Sequence, residues 1–334
     1  MKLTLLYFLL AFFILCSFSK CSKDNNDPVE EEPAVSYESL FTDTLYQKGF
    51  NVSSTQGGNS TLAGKLDYAG TAPGSPFWKI AQWYCYNNDL TEAQYSVSGE
   101  QLCYAISNEG NKVYVDTAKG YLTLELNTDT EYGLNGSTSN PRESGQVWPH
   151  LLIEHNWDDA TSLKISDKEE LLMDISYEIL KCDDKIPAGK VDASLHAAQF
   201  QWYITVQNRN SSSAGYGSEY IWFGLSFFDN RYDYSPLYAA EDGGKEENTG
   251  AFIYTPAMQP ILSDQGKTEI GKEMKVKVDI LPLVKSAYEL ARERNYLSNT
   301  DWDDLYIGST NIGWEVPGTY NVSVKISKLN IRFR

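Results

Sequence analysis

Histidine and cysteine are scarce in this chain, with three and five residues respectively among 334. So few histidines leave little choice for a Ser/His nucleophilic triad, and no Gly-x-Ser-x-Gly elbow is present. The cysteine spacing matches no zinc site, and no P-loop or dinucleotide-binding glycine pattern occurs. We therefore expect no cofactor and no catalytic metal.

Positive charge is also scarce, because 28 Lys and Arg residues face 45 Asp and Glu residues, for a formal net charge of -17. Such an acidic surface argues against nucleic acid or anionic lipid as partners. Aromatic residues are abundant instead, at 13% of the chain with 23 tyrosines. This composition suits a secreted protein that meets neutral ligands.

Long hydrophobic runs are absent except near the N-terminus, where residues 5–16 are apolar and Lys2 precedes them. The run is too short for a permanent membrane helix and has the layout of a signal peptide. It ends in SFSKCSKDNND, in which Cys21 is followed at once by polar residues. Cys21 predicts lipid attachment and cleavage just before it, with residues 1–20 as the signal peptide. An ordinary signal peptide with an incidental cysteine is the alternative.

The stretch CSKDNND resembles the export tag of surface lipoproteins from Bacteroidota-type bacteria, with Lys20 in place of the small residue before the cysteine. The resemblance implies an outer-membrane lipoprotein that faces the cell exterior. Residues 21–36 are acidic, polar and proline-containing, which predicts a disordered tether. Residues 37–334 then suffice for one large domain.

Alternation of apolar and polar residues with a period of two dominates the rest of the sequence. KVYVDTAKGYLTLEL predicts a hairpin that turns at Lys119 and Gly120. LLMDISYEIL predicts a strand with one buried face, and YNVSVKISKLNIRF predicts another with a bulge. Further strands are predicted at residues 150–157, 200–207, 220–228, 250–254, 274–280 and 305–312.

One segment has helical spacing instead, because apolar residues between 283 and 297 fall three and four positions apart. We therefore predict an all-β, two-sheet antiparallel sandwich, a jelly roll, with one short amphipathic helix. The alternative is two domains with a boundary in residues 135–145. Cys85 and Cys103 are candidates for a disulfide in an oxidising compartment.

Residues 144–159, SGQVWPHLLIEHNWDD, are the most informative for chemistry. A strand here places His150 and Glu154 on one face, with Trp148 and Trp157 on either side. Indole faces stack on the apolar face of a pyranose, and a carboxylate accepts hydrogen bonds from its hydroxyls. The alternative is a structural histidine, a solvated Glu154 and a tryptophan pair in the core.

Two other clusters have similar chemistry. The segment DNRYDYSPLY offers Asp229, Arg231, Tyr232 and Tyr234 on a loop that is typical of a sugar-contacting rim, although such loops are also common on tyrosine-rich surfaces. Trp314 and Glu315 end a predicted strand. Glu315 facing Glu154 would supply the two carboxylates that glycoside hydrolysis requires, and a solvated Glu315 is the alternative.

Two acidic turns are candidates for structural calcium. NTDTEYG spaces oxygen ligands before a glycine, and TDWDD clusters Asp301, Asp303 and Asp304. Neither completes an EF-hand loop, so an ordinary acidic turn is the alternative for both.

Together these features predict a surface-anchored protein that binds a polysaccharide or oligosaccharide for capture and utilisation. The chain resembles surface lipoproteins with concanavalin-like or other jelly-roll glycan-binding domains. The first alternative is an enzyme, either a glycoside hydrolase using Glu154 and Glu315 or a polysaccharide lyase using His150 as base. The second is a protein-binding adhesin or assembly component, which predicts an exposed apolar patch. The sequence does not indicate an oligomeric state.

Overall fold

The structure is a computed structural model that describes residues 35–55, 61–68, 70–85, 90, 103–108, 110–132, 141–243 and 248–334. The predicted signal peptide, Cys21 and residues 21–34 of the predicted tether lie outside the described residues, as does most of the alternative domain boundary at 135–145. No helix within the described ranges has the length and apolarity needed to cross a membrane.

Strands make up most of the described chain. In chain order they are β1 (Glu38–Ser39), β2 (Phe50–Ser53), β3 (Leu62–Leu66), β4 (Trp78–Ala81), β5 (Cys103–Ser107), β6 (Asn111–Asp116), β7 (Tyr121–Asn127), β8 (His150–Asn156), β9 (Leu163–Lys164), β10 (Leu171–Asp184), β11 (Gln199–Asn208), β12 (Tyr220–Asp229), β13 (Tyr238–Glu241), β14 (Phe252–Thr255), β15 (Glu273–Asp279), β16 (Leu305–Glu315) and β17 (Tyr320–Phe333). The two α-helices are α1 (Gln259–Leu262) and α2 (Leu281–Glu293), and short 3₁₀ turns occupy Thr128–Thr130 and Trp302–Asp304.

The first sheet has seven described strands in the order β15-β10-β17-β7-β6-β5, with β1 also paired to β17. All its pairings are antiparallel. The predicted hairpin is β6 and β7, and Gly120 adopts the positive φ of 68° that its turn requires. The predicted bulge lies in β17, where the register against β10 shifts between Ile326 and Lys328.

The second sheet has ten described strands in the order β13-β14-β12-β11-β16-β8-β4-β2-β3, with β9 also paired to β16. Two pairings are parallel, β12 with β14 and β2 with β4. A strictly antiparallel sandwich was expected, so these pairs correct that detail. In each case the strand that lies between the two partners in the chain, β13 or β3, forms an edge of the sheet.

The core lies between the two sheets and collects the apolar side of each alternating strand. Its largest fully buried side chains include Trp78, Trp202, Trp314, Tyr177 and Phe200. The remaining polar side of the ten-stranded sheet faces outward. The predicted all-β, two-sheet sandwich is therefore confirmed.

The predicted helix is α2, which begins at Leu281 with a proline in its first turn and packs Val284, Ala287 and Ala291 inward. It ends at Glu293, earlier than the sequence pattern suggested, because Asn295 has a positive φ of 65° and terminates the helix. The four-residue α1 was not predicted.

The candidate disulfide is not present, because Cys85 and Cys103 are both buried without a bond between them. The Cys85 thiol instead lies 3.3 Å from the main-chain oxygen of His150. Cys182 is partly buried, and burial raises the pKa of its thiol to about 12, so it is not a reactive nucleophile.

A candidate ligand-binding cleft

A large cleft covers the outer face of the ten-stranded sheet, on the side away from the core. Its volume is about 1040 Å³, at the upper end of small-molecule sites. Lining residues come from β4, β8, β16, β11, β12 and β14 and from the loops at their ends. The cleft crosses most of the sheet, which suits an extended ligand.

Strand β11 shows how the sequence builds the floor. Its residues alternate between the cleft, which receives Gln199, Gln201 and Tyr203, and the core, which receives Phe200, Trp202 and Ile204. Tyr203 Oη donates to Gln201 Oε1 at 2.7 Å. Planar amides and phenols therefore form the centre of the floor.

A charged pair lies in one row of the floor. Cross-strand pairing aligns Lys79, Glu154, Asn311 and Tyr203 on four adjacent strands, and Lys79 Nζ forms an ion pair with Glu154 Oε1. Burial raises the pKa of the Glu154 carboxyl, and the Lys79 ammonium partly opposes that shift. Both side chains still border the cleft.

A second row lies four residues further along β16. It aligns His150, Glu315, Gln199 and Asp229. His150 Nδ1 is 2.8 Å from the main-chain oxygen of Trp148, and because a carbonyl only accepts, Nδ1 carries the proton. His150 Nε2 lies 3.5 Å from Glu315 Oε2. Without a proton between them both atoms are acceptors, so a favourable contact needs a proton on one of the two.

The far end of this row is a well-bonded carboxylate. Asp229 accepts from Arg231 Nε at 2.8 Å and Nη2 at 2.6 Å, and from Gln199 Nε2 at 2.9 Å. This fork geometry is strong and directional. It neutralises Asp229 and holds Arg231 at the cleft wall.

Aromatic rings border the cleft at both sides. The Trp83 and Trp148 rings lie 5.4 Å and 6.0 Å from the His150 ring, while Tyr232 and Tyr238 are exposed on the opposite rim. These rings provide flat apolar surfaces next to a polar floor.

The Tyr203 ring lies directly over the backbone of Gly224 on β12. A Cβ at Gly224 would overlap that ring, so only glycine lets the ring lie flat across the neighbouring strand. Trp222 packs edge-on to Tyr203 from the same strand. Burial raises the pKa of Tyr203 well above its usual value, and the nearby Glu315 carboxylate adds to that shift.

The structure brings together six of the nine residues proposed from the sequence as ligand contacts. Those that line the cleft are Trp148, His150, Glu154, Asp229, Arg231 and Tyr232. Glu315, proposed only as a catalytic carboxylate, also lines it.

The other three residues proposed as ligand contacts do not line the cleft. Trp157 is buried and stacks on Phe41 in the core. Trp314 is fully buried and donates from Nε1 to the main-chain oxygen of Leu124 at 3.2 Å. Tyr234 packs partly against the core. Strand parity explains Trp314, since it alternates with Glu315 and so points to the opposite side of the sheet.

Glu154 and Glu315 share the cleft face but are not close partners. Their rows lie four residues apart along β16, or about 13 Å at the rise of a strand. The Glu154 carboxylate also bonds to Lys79, on the side away from Glu315. Glycosidases hold their two carboxyl groups within about 5 to 10 Å of each other.

Several cleft residues were not singled out from the sequence, and Lys79, Trp83, Arg142, Gln201, Tyr203 and Asn311 are among them. The alternation of amides with large apolar residues in β11 was a usable signal for Gln201 and Tyr203. Arg142 and Trp83 lie in loops, where no periodicity indicates which way a side chain points.

Neither calcium candidate forms a cation site in the described residues, where no cluster of three or more potential ligands from His, Cys, Asp and Glu occurs. Asp301 and Asp304 instead form a capping box for the 3₁₀ turn at Trp302–Asp304. Gly133 of the other turn lies outside the described residues.

No protein-family model and no curated protein matches the sequence. Among the solved structures similar to this chain is a family 12 xyloglucanase from Bacillus licheniformis, with 13% sequence identity and a TM-score of 0.42. The alignment covers 76% of this chain and 99% of the xyloglucanase chain. An endoglucanase from Rhodothermus marinus has 10% identity over 70% and 92% of the chains, with a TM-score of 0.37. The xyloglucanase domain of NopAA from Sinorhizobium fredii has 11% identity over 72% and 97%, with a TM-score of 0.35. Similarities this low do not indicate what this chain does.

Proposed function

We propose that this protein binds a segment of polysaccharide or a long oligosaccharide in the cleft of its ten-stranded sheet. The observation that carries the proposal is the combination of a long floor of amides and charge-paired side chains with aromatic rings at its borders, of which Tyr232 and Tyr238 are exposed and Trp83 and Trp148 are partly buried. Apolar sugar faces stack on such rings, while planar polar groups take the hydroxyls.

The polar groups of the floor suit hydroxyls, which donate and accept at the same time. Gln199, Gln201 and Asn311 each present an amide with both functions. The Lys79–Glu154 pair adds a donor next to an acceptor. Because Lys79 and Glu154 pair with each other, a neutral part of a ligand can bind on this part of the floor without leaving an uncompensated charge.

The setting that fits this activity is the outer face of the outer membrane, with the chain held by a lipid on Cys21. The support is the N-terminal sequence, in which an apolar run ends at Cys21 and a polar, acidic segment follows. Such a tether would keep the cleft accessible to polymers outside the cell.

Cleavage of the bound polysaccharide is the second candidate function. The contact between His150 and Glu315 favours it, because that pair can hold a transferable proton inside the cleft. Hydrolysis or elimination would each use such a proton carrier. Against it, the other cleft carboxylates with described partners bond to Lys79, Arg231 or Thr249.

The test is affinity electrophoresis of residues 37–334 in native gels that contain a panel of plant, microbial and host polysaccharides. We expect one polymer to retard the protein, and Trp148→Ala or Trp222→Ala to weaken the retardation by about tenfold or more. Tyr216→Ala is the matched control, because Tyr216 is exposed but lies outside the cleft.

Absence of retardation by every polymer, with the protein folded, would contradict the proposal. Reducing-end or unsaturated-product assays on the same polymers test the second candidate. Glu315→Gln would abolish product formation in an enzyme, whereas in a binding protein it would only change affinity.

A further inference from the structure

Arg142 is a buried cation in the wall of the cleft. It lies in the loop before β8, is 5% exposed, and still borders the cleft beside Ser144 and Ser194. Nε donates to the main-chain oxygen of Gln146 at 2.9 Å, and Nη1 donates to that of Leu195 at 3.0 Å. Its Nη2 makes no hydrogen bond to a described residue.

The surroundings hold this guanidinium in a fixed position. It lies 4.7 Å from the centre of the Trp148 ring, a distance typical of a cation–π contact. The Asp192 main-chain N–H donates to His196 Nδ1 at 3.1 Å, so the neutral ring carries its proton on Nε2 and donates to the Arg142 carbonyl at 2.8 Å. Both side chain and backbone are therefore preorganised.

Arg142 differs from the other cations of the cleft in its charge balance. Lys79 pairs with Glu154, and Arg231 pairs with Asp229. No carboxylate of the described residues lies within ion-pair distance of Arg142. Burial lowers the pKa of the Arg142 guanidinium, which reflects a desolvated charge with no anion to offset it.

A second guanidinium lies at the same end of the cleft. Arg231 Nη1 donates to the main-chain oxygen of Ala193 at 3.2 Å, two residues before the carbonyl that Arg142 contacts. His150 lies beyond Trp148, whose ring is stacked nearly parallel to it. Because Asp229 neutralises Arg231, the charge available to a ligand at this end is that of Arg142.

We propose that the Arg142 end of the cleft binds the carboxylate of a uronic acid residue, so that the ligand is an acidic polysaccharide. This inference rests on the proposed function and names its ligand class. A guanidinium fork matches the planar carboxylate and forms strong, directional hydrogen bonds. The bound carboxylate would supply the anion that Arg142 lacks, while uncharged parts of the sugars occupy the amide floor and the rings.

The experiment compares polygalacturonate, alginate and glucuronoxylan with the same polymers after chemical reduction of their carboxyl groups to alcohols. We expect at least one acidic polymer to bind, and carboxyl reduction to weaken its binding by about 10- to 100-fold, the range for a charged hydrogen bond. Arg142→Gln should cause a similar loss, and Arg142→Lys a smaller one. Arg334→Gln, on the seven-stranded sheet and with the same change in net charge, should have no effect.

Three outcomes would overturn this inference. The first is binding of neutral polymers but of no uronate polymer, which would leave the proposed function intact. The second is equal binding of the acidic and reduced forms by the unaltered protein, a comparison that needs no variant to fold. The third is binding of dextran sulfate as strong as that of the uronate polymers, which would indicate a general attraction of anions. Failure of every polymer to bind would overturn the proposed function as well.

Discussion

The two sheets each contain a cross-strand pair of glutamate and lysine, and the two pairs differ in their surroundings. On the seven-stranded sheet, Glu178 opposes Lys325 at 2.6 Å, with side chains 21% and 33% exposed. On the ten-stranded sheet, Glu154 opposes Lys79, with side chains 10% and 19% exposed. The first pair is one of several ion pairs on a solvated face, whereas the second is largely enclosed by the cleft.

The comparison teaches that alternation alone does not distinguish a solvated face from a binding face. Both sheets put their polar residues outward with a period of two. Both faces bury some of them, but His150, Gln201 and Asn311 border a cleft, whereas Asp174 of the seven-stranded sheet is buried in an ion-pair cluster with Lys328 and Arg332. Burial of polar groups has a free-energy cost unless they are hydrogen-bonded. A face that keeps polar groups buried next to an open cleft is therefore a better candidate for a binding site.

The largest expected effect is on the buried pair. Lys79→Met would leave the Glu154 carboxylate enclosed without its cation and should lower the free energy of unfolding by about 3 kcal/mol at pH 7. Lys325→Met is the matched control and should cost less than about 1 kcal/mol. Chemical denaturation of both variants measures the difference.

The pH dependence of the stability of Lys79→Met tests whether the loss comes from the unpaired Glu154 carboxylate. The folded-state pKa of Glu154 is raised above 4.5, so its charged form is disfavoured in the fold. The deficit of Lys79→Met should therefore shrink as pH falls from 7 toward 4.5 and be lost below 4.5, where the carboxyl is neutral in both states. Equal costs for the two lysine variants at pH 7 would remove the distinction between the faces.

A smaller effect is expected from the glycine beneath Tyr203. Gly224→Ala forces the Tyr203 ring off the neighbouring strand and should cost about 1–2 kcal/mol of stability. The displaced ring would also weaken retardation by the bound polymer. In Gly308→Ala the new methyl would meet the end of the flexible Gln207 side chain, so that control should be milder. Equal losses of stability and of retardation in both variants would show that the position of the Tyr203 ring affects neither.

The smallest effect concerns two histidines on opposite faces of β8. His155 faces away from the cleft, stacks on Phe77, and its Nδ1 lies 2.6 Å from the Phe77 carbonyl. Burial lowers the pKa of His155 below 6.5, so protonation favours the unfolded state, and stability should decline as pH falls below 6.5.

His155→Gln keeps a donor for the Phe77 carbonyl and removes the titration. The free energy of unfolding of this variant should therefore vary less than that of the unaltered protein between pH 7 and pH 5. Parallel curves for the two proteins would contradict this role for His155.

Much of the fold could be predicted from local patterns. Strands β6 and β7 match the predicted alternation closely because one face of each packs on the core. Strand β10 keeps its apolar face in the core, but Asp174 and Ser176 on the face predicted to be solvated are buried as well. The parallel pairings of β2 with β4 and β12 with β14 could not be predicted, since strand partners depend on long-range packing.

Sequence patterns pointed to cleft residues on β8 and in the segments next to strands, with Trp148 before β8 and Arg231 and Tyr232 after β12. Parity on β8 predicted that His150 and Glu154 share one face, as they do in the structure, whereas Asp229 was proposed as a loop residue and is the last residue of β12. Loop residues such as Trp83 and Arg142 were missed, because side-chain direction in a loop has no period. Trp157 was proposed as a ligand contact because it flanks the predicted strand opposite Trp148, whereas it packs in the core against Phe41.

The amino-acid sequence by itself determined that this chain forms a sandwich of sheets, because period-two burial is a local property that each strand carries in its own residues. Only the tertiary structure decided which polar face became a cleft. It also decided which charges were paired there and that Arg142 has no carboxylate partner among the described residues. Those features depend on residues distant in the chain, brought together when the strands of the ten-stranded sheet pair.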